Sequence, residues 1–353
     1  MRNNWLVLLF LLLSNLTYSQ WVALDEGEYL VHHVWLYNDT VRMCETKVAE
    51  ELYDYYQKER DHYFYRYAMD GKQIGDNRKS FVFSEQGRPV VRDLARRLEA
   101  MASSETERVE AALTYVQSLP YSYDSTSKGK DEYVRYPVET LVDGCGDCED
   151  KSVLLAAILH EMNIGFVLLM APDHMAVGVN CEPHNGATGF MFNGKKFYYA
   201  ETTETDFKIG QVPDNVALAR IEVLPCDETP VLIVKDVRFE SQPALLFEKA
   251  SCVLEMVLQN LGPCKITGLQ IHVALVTKSR RGERVLAEEY RELADLPECK
   301  QRSEQISFKS LIKENSVLRV ELTGDNMVAQ SYEYEMNFSQ TTIENKSDCF
   351  KNR

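Results

Sequence analysis

Residues 144–150 place two cysteines and three acidic side chains at the predicted start of a helix. They read Gly-Cys-Gly-Asp-Cys-Glu-Asp, and an apolar run over 153–162 follows. A cysteine attacks a carbonyl only as its thiolate, so it needs a partner for its proton and surroundings that favour the anion. Asp147 suits the helix N-cap, and the N–H groups and dipole at a helix start lower a thiol pKa. Cys148 is therefore the predicted nucleophile.

A base is still required, because the dipole contributes only about 0.3–1 kcal/mol. Among the seven histidines, His174 follows the turn Ala171-Pro172-Asp173 and begins a predicted strand. Such loops carry catalytic groups on a rigid framework. His160 lies three turns along the same predicted helix, too far from Cys148 to meet it. His184, in a looser polar loop, is the alternative base.

A carboxylate must then orient the imidazole and stabilise its cation. Glu201 closes a predicted strand over 196–201 and is expected beside His174, across the sheet. Glu204 and Asp206 are the nearby alternatives. The sequence thus predicts a nucleophile, a base and an orienting acid at three separate positions.

The elements around these residues predict one buried helix backed by an antiparallel sheet. Apolar residues recur at helical spacing over 91–101, and Ser104 with Glu107 forms a capping box for a second helix that Pro120 ends. The helix after Asp147 is apolar on nearly every side, so it should be central. Strand-like runs follow at 166–170, 175–179, 189–192 and 196–201, with an Asn193-Gly194 hairpin between the last two.

Short alternating strands replace helices beyond about residue 229. Asn260-Leu261-Gly262-Pro263 supplies turn chemistry between two of them. About seven strands in about 110 residues indicate an immunoglobulin-like β-sandwich. The candidate strands are 231–239, 252–258, 269–277, 284–289, 305–308, 317–322 and 331–338.

The predicted fold class is α+β, in more than one domain, because this length exceeds what a single hydrophobic core usually supports. The predicted segments are a signal peptide (1–19), a mostly helical region (20–84), a catalytic core (85–227), a β-sandwich (228–340) and a polar tail (341–353).

The N-terminal segment predicts export. Met1-Arg2-Asn3-Asn4 precedes an apolar run over 5–13 and a small, polar stretch over 14–20, the order of a secretory signal. The run is shorter than the ~20 residues that span a bilayer. We therefore expect a secreted or periplasmic protein with no membrane insertion after signal cleavage. The net charge of −15 argues against nucleic acid and anionic membranes as partners.

Nine cysteines are an odd number, and export permits disulfides. If Cys148 is free, the other eight allow up to four bridges.

These residues resemble the bacterial transglutaminase-like superfamily of Cys-His-Asp enzymes, a branch of the papain-like fold, over about residues 85–215. The resemblance rests on the run Tyr136–Leu141, on Gly146-Asp147-Cys148-Glu149-Asp150 opening a core helix, on His174, and on Glu201-Thr202-Thr203. The family usually ends its triad with Asp, often in Asp-Pro-Thr. Its histidine is often followed by aromatic and acidic residues, which are Met175-Ala176-Val177-Gly178 here.

The resemblance implies that Cys148 is the nucleophile, His174 the general base and acid, and Glu201 the orienting carboxylate. The Cys148 backbone N–H is the expected oxyanion donor, with Tyr121 or Tyr123 as candidate support. No cofactor and no metal are expected. The fold implied is a papain/transglutaminase-like core followed by the sandwich.

The predicted function is an exported thiol acyl-transfer enzyme that forms a thioester on a protein or peptide substrate. Water as acceptor makes it a cysteine peptidase or amidohydrolase, and a lysine-like amine makes it a cross-linking transglutaminase. The alternative from another class is a binding or scaffolding module that keeps a triad-like core without turnover.

Two other interpretations use the same cysteines. Cys145-Gly146-Asp147-Cys148 is a C-x-x-C motif, as in disulfide oxidoreductases, although predicted helices precede it instead of a first strand. A zinc site of Cys145, Cys148, His174 and His184 would need ligands spaced unlike those of compact zinc modules.

Overall fold

The computed structural model describes residues 19–60, 62–67, 73–183, 186–242, 249–279, 282–298, 300–311, 316–336 and 342–346. The chain is α+β, and all pairings between its named strands are antiparallel within these ranges. It divides into two compact units: residues up to Tyr63 together with Phe81–Cys226, and Phe64–Ser80 together with the chain from Asp227 onward.

The predicted signal peptide lies outside the described residues except for Ser19, so it stays a prediction. No helix in the described ranges is long and apolar enough to cross a membrane.

The first unit opens with a three-stranded antiparallel sheet of β1 (Ser19–Asp25), β2 (Glu28–Tyr37) and β3 (Thr40–Ala49). Both connections are two-residue turns in the left-handed region, Glu26-Gly27 and Asn38-Asp39, which suit tight hairpins. Only then does α1 (Glu50–Glu59) begin. The prediction of a mostly helical region over 20–84 is therefore wrong, because these turns and the alternating burial of β3 define strands.

The helices of the cysteine region follow the predicted periodicity. The N-cap Ser104 accepts a hydrogen bond from the backbone N–H of Glu107, as the capping signal predicts. The last helix, α7, is buried on nearly every side from Asp150 to Leu159. The elements are α2 (Arg78–Val82), α3 (Arg88–Glu99), α4 (Glu105–Gln117), α5 (Asp124–Ser127), α6 (Pro137–Asp143) and α7 (Cys148–Glu161).

A five-stranded antiparallel sheet backs α7, which packs on β6 and β7. Asn193 and Gly194, with φ of 48° and 75°, form the predicted hairpin between β8 and β9. The strand order is β10-β6-β7-β9-β8. The strands are β6 (Phe166–Ala171), β7 (His174–Val179), β8 (Gly189–Phe192), β9 (Lys195–Ala200) and β10 (Glu222–Leu224).

Register in this sheet decides which side chains meet. The pair Val177–Ala200 is the last one of β7 and β9, so Glu201 leaves β9 alongside the first residues of β7. The β6–β7 turn contains Asp173 at φ 55°, and it makes His174 the first residue of β7. His174 and Glu201 thus lie on neighbouring chains at one end of the sheet.

The second unit contains two four-stranded antiparallel sheets, β15-β12-β11-β18 and β14-β13-β16-β17. One buried apolar cluster draws residues from both, including Phe239, Leu254, Leu275 and Leu318. The short pair β4 (Tyr65–Tyr67) and β5 (Gln73–Asp76) also belongs here. The strands are β11 (Leu232–Gln242), β12 (Ala250–Asn260), β13 (Gln270–Ser279), β14 (Gly282–Glu292), β15 (Gln301–Ser310), β16 (Ser316–Thr323), β17 (Gln330–Met336) and β18 (Thr342–Lys346).

The end of the chain differs from the prediction. A polar tail was expected over 341–353, yet Thr342–Lys346 form β18, which pairs with β11 along Asp236–Glu240. Backbone pairing to an existing sheet edge needs no apolar pattern, and this segment has a single aliphatic residue, Ile343.

The cysteines also differ from expectation. Cys44, Cys145, Cys148, Cys181, Cys252 and Cys264 are free thiols. Four disulfides are therefore excluded, since six of the nine cysteines are unbridged. Cys299 and Cys349 lie outside the described residues.

Candidate active site

Cys148 is the first residue of α7, and a reciprocal cap fixes that helix start. The carboxylate of Asp147 accepts a hydrogen bond from the backbone N–H of Asp150 at 3.3 Å, and the N–H of Asp147 donates to the Asp150 carboxylate at 3.3 Å. The backbone N–H of Met175 lies close enough to the Cys148 sulfur to oppose the rise in its pKa. The thiol therefore lies, 6% exposed, against the first residues of β7.

His174 directly precedes Met175, whose N–H lies near the Cys148 sulfur. Glu201 binds the Nε2 nitrogen of the His174 ring. Nε2 of His174 lies 3.0 Å from Oε2 of Glu201. Within the described ranges, Nδ1 of this imidazole makes no hydrogen bond. The ring is thus anchored through Nε2, and Nδ1 is the nitrogen left to exchange a proton with a sulfur or a leaving group.

Glu201 is fully buried and accepts four hydrogen bonds. Its Oε2 accepts from His174 and from the Tyr199 hydroxyl at 2.9 Å, and its Oε1 accepts from the Thr203 N–H at 2.9 Å and the Thr203 hydroxyl at 2.6 Å. Burial would raise the pKa of Glu201, but the hydrogen bonds from His174 and Thr203 outweigh it and lower this pKa to about 2. The alternative acids Glu204 and Asp206 are exposed.

The contact with Glu201 favours the protonated form of the His174 imidazole. Burial lowers the pKa of His174, yet the hydrogen bond and charge of Glu201, with smaller contributions from Glu149 and Glu204, raise it above its ordinary value. An imidazolium beside a carboxylate is the arrangement that stabilises a base after it takes a proton.

Cys148 does not have the lowered pKa that its helix position predicts. Burial raises the pKa of the thiol, and the charge and hydrogen bonding of Glu149 raise it further. The thiol donates to Oε2 of Glu149 at 2.9 Å. The expectation of a dipole-stabilised thiolate is wrong for this arrangement, because the ~0.3–1 kcal/mol of a helix start is smaller than the cost of a buried anion beside a carboxylate.

Tyr121 and Tyr123 lie on the segment that borders the cysteine motif. Tyr121 forms a parallel bridge with Gly146, and its ring packs edge-on against Tyr123 at 5.1 Å between centroids. The rings are 43% and 66% exposed. Burial and the charges of Cys148 and Asp147 raise the pKa of Tyr121. The predicted oxyanion role of both tyrosines stays a prediction.

Arg135 is a site residue that the sequence interpretation missed. Its guanidinium is fully buried and donates to Asp124 at 2.9 Å, to Asp143 at 2.8 Å and to Asp150. Its backbone N–H also donates to Asp150 at 2.6 Å. The only signal was a single charged residue in the apolar run Tyr133-Val134-Arg135-Tyr136-Pro137.

The carboxylates around Arg135 lie close enough together that they could hold a metal cation. Ligand oxygens of Asp124, Asp147 and Asp150 lie within 4.8 Å of one another, the only such group of His, Cys, Asp or Glu side chains in the described part of the chain. Arg135 already donates to two of the three. The guanidinium therefore supplies the positive charge that the cluster requires.

Lys151 is a second missed residue, one turn along from Cys148. It is fully buried, and its ammonium donates to the carbonyls of Leu119 at 2.8 Å, Gln117 at 3.2 Å and Thr203 at 3.4 Å. Burial lowers its pKa to about 8. This contact joins the nucleophile helix to the segment that carries Glu201.

The two alternative interpretations of the cysteines find no support in the geometry. Cys145 and Cys148 are not bridged. The zinc interpretation needs His184, which lies outside the described residues, and Cys145, Cys148 and His174 do not converge as a metal-binding group among those described.

The comparisons with known proteins match one part of this region. Residues 92–166 match the family model of the transglutaminase-like superfamily, which confirms the predicted resemblance. The matched segment runs from α3 to the first residue of β6 and contains Cys148. His174 and Glu201 lie beyond it.

The solved structures similar to the chain include the crystal structure of red sea bream transglutaminase. The identity is 8%, the match covers 90% of this chain and 73% of that one, and the TM-score is 0.23. A score this low carries no argument about shared architecture or activity. The search of curated proteins returned no match.

Proposed function

We propose that this protein is a transglutaminase-like thiol acyl-transfer enzyme that acts as a cysteine peptidase or amidohydrolase. The observation that carries the proposal is the corner formed by α7 and β7. There the Cys148 sulfur lies near the N–H of Met175, and the adjacent His174 is anchored by Glu201 at 3.0 Å. The order of nucleophile, base and orienting acid suits acyl transfer.

The proposed reaction has two half-reactions, and in each of them His174 takes up a proton and gives it away. Nδ1 of His174 takes the thiol proton, and the thiolate of Cys148 forms a bond to the amide carbon. The C–N bond breaks, the imidazolium gives its proton to the departing amine, and a thioester remains on Cys148. Water then attacks the thioester and loses a proton to His174, the C–S bond breaks, and the thiolate is reprotonated as the acid leaves.

Glu201 stays ionised throughout. Its four donors and its lowered pKa suit it to hold the imidazole and stabilise the imidazolium. A primary amine in place of water would give a new amide, the cross-linking reaction. Hydrolysis is the reaction we propose, because water is the acceptor present everywhere unless a site excludes it.

A binding module without turnover is the second candidate, and one observation favours it. The Cys148 thiol donates to Glu149, which holds it in its unreactive protonated form. In this alternative the three residues would be a structural relic of a catalytic core.

One experiment separates these candidates. Wild type, Cys148→Ala and the matched neighbour Cys145→Ala are incubated with a mixed peptide library and a primary amine, and the products are read by mass spectrometry. New peptide termini that depend on Cys148 and survive in Cys145→Ala support the hydrolase. Amine adducts with the same dependence indicate the cross-linking enzyme, and no Cys148-dependent product favours the binding module.

We also propose export, with cleavage before Gln20. N-terminal sequencing of the protein from its native cell should begin at Gln20. A sequence beginning at Met1 in the cytosolic fraction would contradict this.

We further propose that the second unit is immunoglobulin-like. Lettered A to G in chain order, β11 to β17 form a sheet E-B-A and a sheet D-C-F-G. The constant-type immunoglobulin sheets are ABED and CFG. Two features differ: the fourth strand lies here beside the third, and β18 is added beside the first.

A further inference from the structure

Glu149 is the acid closest to the nucleophile, and its charge is not neutralised within the described structure. Its Oε2 accepts the Cys148 thiol hydrogen at 2.9 Å. It is half-buried, and no lysine or arginine among the described residues forms an ion pair with it. A carboxylate in this place opposes ionisation of the thiol, so it hinders the chemistry unless something pairs with it.

Other acids extend the negative charge around the same corner. Glu201 and Glu204 join Glu149 in raising the pKa of His174.

The cations of the region are already bound to other groups. Arg135 pairs with Asp124, Asp143 and Asp150. Lys128 pairs with Asp143 at 2.7 Å.

Lys151 donates to three carbonyls and is buried beneath the site. The corner that a substrate must enter is therefore net negative.

We propose that Glu149 is a specificity residue that binds a lysine or arginine side chain of a peptide substrate, next to the carbonyl that Cys148 attacks. The substrate's cation replaces the thiol as the partner of Glu149. The thiol is then free to give its proton to His174, so a basic substrate promotes its own attack. This inference rests on the proposed acyl-transfer function for the identity of the attacked carbonyl.

Charged thiol reagents test the inference without turnover. Three methanethiosulfonates of similar size are used: one with a trimethylammonium group, one with a sulfonate, and uncharged methyl methanethiosulfonate. Labelling of Cys148 is followed by mass spectrometry of its peptide. We expect the cationic reagent to label Cys148 faster than the anionic one by about tenfold or more, the effect of a nearby unpaired charge. Equal rates would overturn the proposal.

Glu149→Gln keeps the size of the side chain and removes its charge. The ratio of cationic to anionic labelling should fall severalfold, while labelling by the uncharged reagent becomes faster, because the thiol loses the carboxylate that opposes its ionisation. Glu255→Gln, the same change on exposed β12, should leave the ratio at Cys148 unaltered. An unchanged ratio in Glu149→Gln would show that other charges set the potential and would refute the role of Glu149.

Wild type supplies a measurement that needs no variant to fold. Added salt should reduce the charge ratio at Cys148, because screening weakens partly exposed charges. Cys264, a thiol of the second unit, is the internal reference. A ratio at Cys148 that changes no more than that at Cys264 would contradict the inference.

Matched peptides connect this test to the proposed function. Peptides identical except for lysine, norleucine or glutamate at one position are offered to wild type and Glu149→Gln. Wild type should process the lysine peptide fastest, and the variant should lose that preference. No processing of any peptide, with the charge-selective labelling intact, would overturn the enzyme and leave a cation-binding site at Glu149.

Discussion

At position 201, a carboxylate one methylene longer than aspartate fills a fully buried site with four donors. The extra length is accommodated because Gln117 holds the backbone carbonyl of Glu201 at 2.8 Å and Thr203 binds one carboxylate oxygen through both its N–H and its hydroxyl. The longer arm is therefore no obstacle to orienting His174.

Removal of the Glu201 charge tests its role at the residue scale. In Glu201→Gln the pKa of His174 should fall, because the charge and charge-assisted hydrogen bond that raise it are lost. We expect kcat to fall by about 10²- to 10⁴-fold. NMR titration of the imidazole and the pH profile of turnover measure the two effects.

Asp206→Asn, an exposed change nearby, is the control for that experiment. A pKa of His174 that stays the same in Glu201→Gln would contradict the orienting role, whatever happens to the rate.

The dependence of folding stability on pH in the acid range gives a second prediction for Glu201. The folded pKa of Glu201 lies below its ordinary 4.5, at about 2. Such a group stabilises the fold above its unfolded pKa, and this contribution is lost as pH falls through the folded pKa. Wild type should therefore lose more stability than Glu201→Gln between about pH 4.5 and pH 2, as urea unfolding measures. An equal loss of stability in wild type and Glu201→Gln over this pH range would contradict the prediction.

The sequence predicted the positions of Cys148, His174 and Glu201 because local signals determine each of them. A cap residue places the cysteine, a Pro-Asp turn places the histidine, and a strand end places the acid. The hydrogen bond from the Cys148 thiol to Glu149 depends on a side-chain rotamer, so no sequence pattern predicted it. The raised thiol pKa followed from that contact and from burial, which sequence spacing does not contain.

At the scale of elements, a buried cation holds the start of α7 in place. This cation is the guanidinium of Arg135. Arg135 binds Asp150, and Asp150 completes the cap with Asp147, directly before Cys148. Truncation of Arg135 leaves the buried carboxylates of Asp124 and Asp150 without their cation, while Asp143 keeps its ion pair with Lys128. The position of Cys148 and the stability of the unit therefore depend on the same side chain.

Arg135→Met should destabilise the first unit by about 3–5 kcal/mol, the effect of breaking a buried ion pair. Urea unfolding measures this. Arg97→Met, which removes an exposed i,i+4 pair with Asp93, is the matched control and should change stability by less than about 1 kcal/mol. Equal effects of the two variants would show that the buried cluster contributes nothing special.

Gly146 lies where the chain passes the cap, and a Cβ there would be 2.6 Å from Cβ of Asp150. Gly146→Ala must therefore displace the cap and shift Cys148. We expect kcat to fall about 10²-fold, as expected for a displacement of ~1 Å in a catalytic group. Gly165→Ala, whose nearest contact would be 3.3 Å, is the milder control. A fully active Gly146→Ala would mean that α7 can move without effect.

Arg135 was beyond sequence analysis because its three acids come from α5, α6 and α7, separated by turns that no short pattern describes. Helix α7 itself was predictable, because a continuous apolar run in the sequence indicates that the helix is buried. The N-terminal strands were not predicted, because the turns Glu26-Gly27 and Asn38-Asp39 were not weighed as hairpins.

At the scale of the whole molecule, the two units can be followed separately. Every tryptophan of the chain precedes residue 36, and the two within the described residues, Trp21 and Trp35, belong to the first unit. Trp35 is fully buried. Tryptophan fluorescence therefore reports on the unit that carries the site, while far-ultraviolet circular dichroism reports on both.

Glu139 makes the stability of the first unit depend on pH in the opposite sense to Glu201. Burial raises its pKa to about 7, against the opposing hydrogen bond from Tyr133. A carboxyl with a raised folded pKa contributes stability that is fully present below its unfolded pKa and is lost as pH rises through the folded value. Glu139→Gln should flatten the decline in stability between about pH 4.5 and pH 7, by about 1–3 kcal/mol.

Urea unfolding followed by tryptophan fluorescence at several pH values checks this prediction. Glu51→Gln, an exposed change in α1 of the same unit, should keep the wild-type slope. If Glu139→Gln keeps it too, another buried group causes the dependence.

The pairing of β7 with β9 has a consequence for insertions and deletions. Successive residues of a strand face opposite sides of the sheet, so a shift by one residue exchanges the two faces. Val177 lies opposite Ala200, and the Asn193-Gly194 hairpin fixes where β9 begins. One residue added between Lys195 and Ala200 would put Ala200 in the place of Glu201 and turn the carboxylate away from His174. The hairpin loop can vary in length, but the six residues that follow it must keep their number for Glu201 to bind His174.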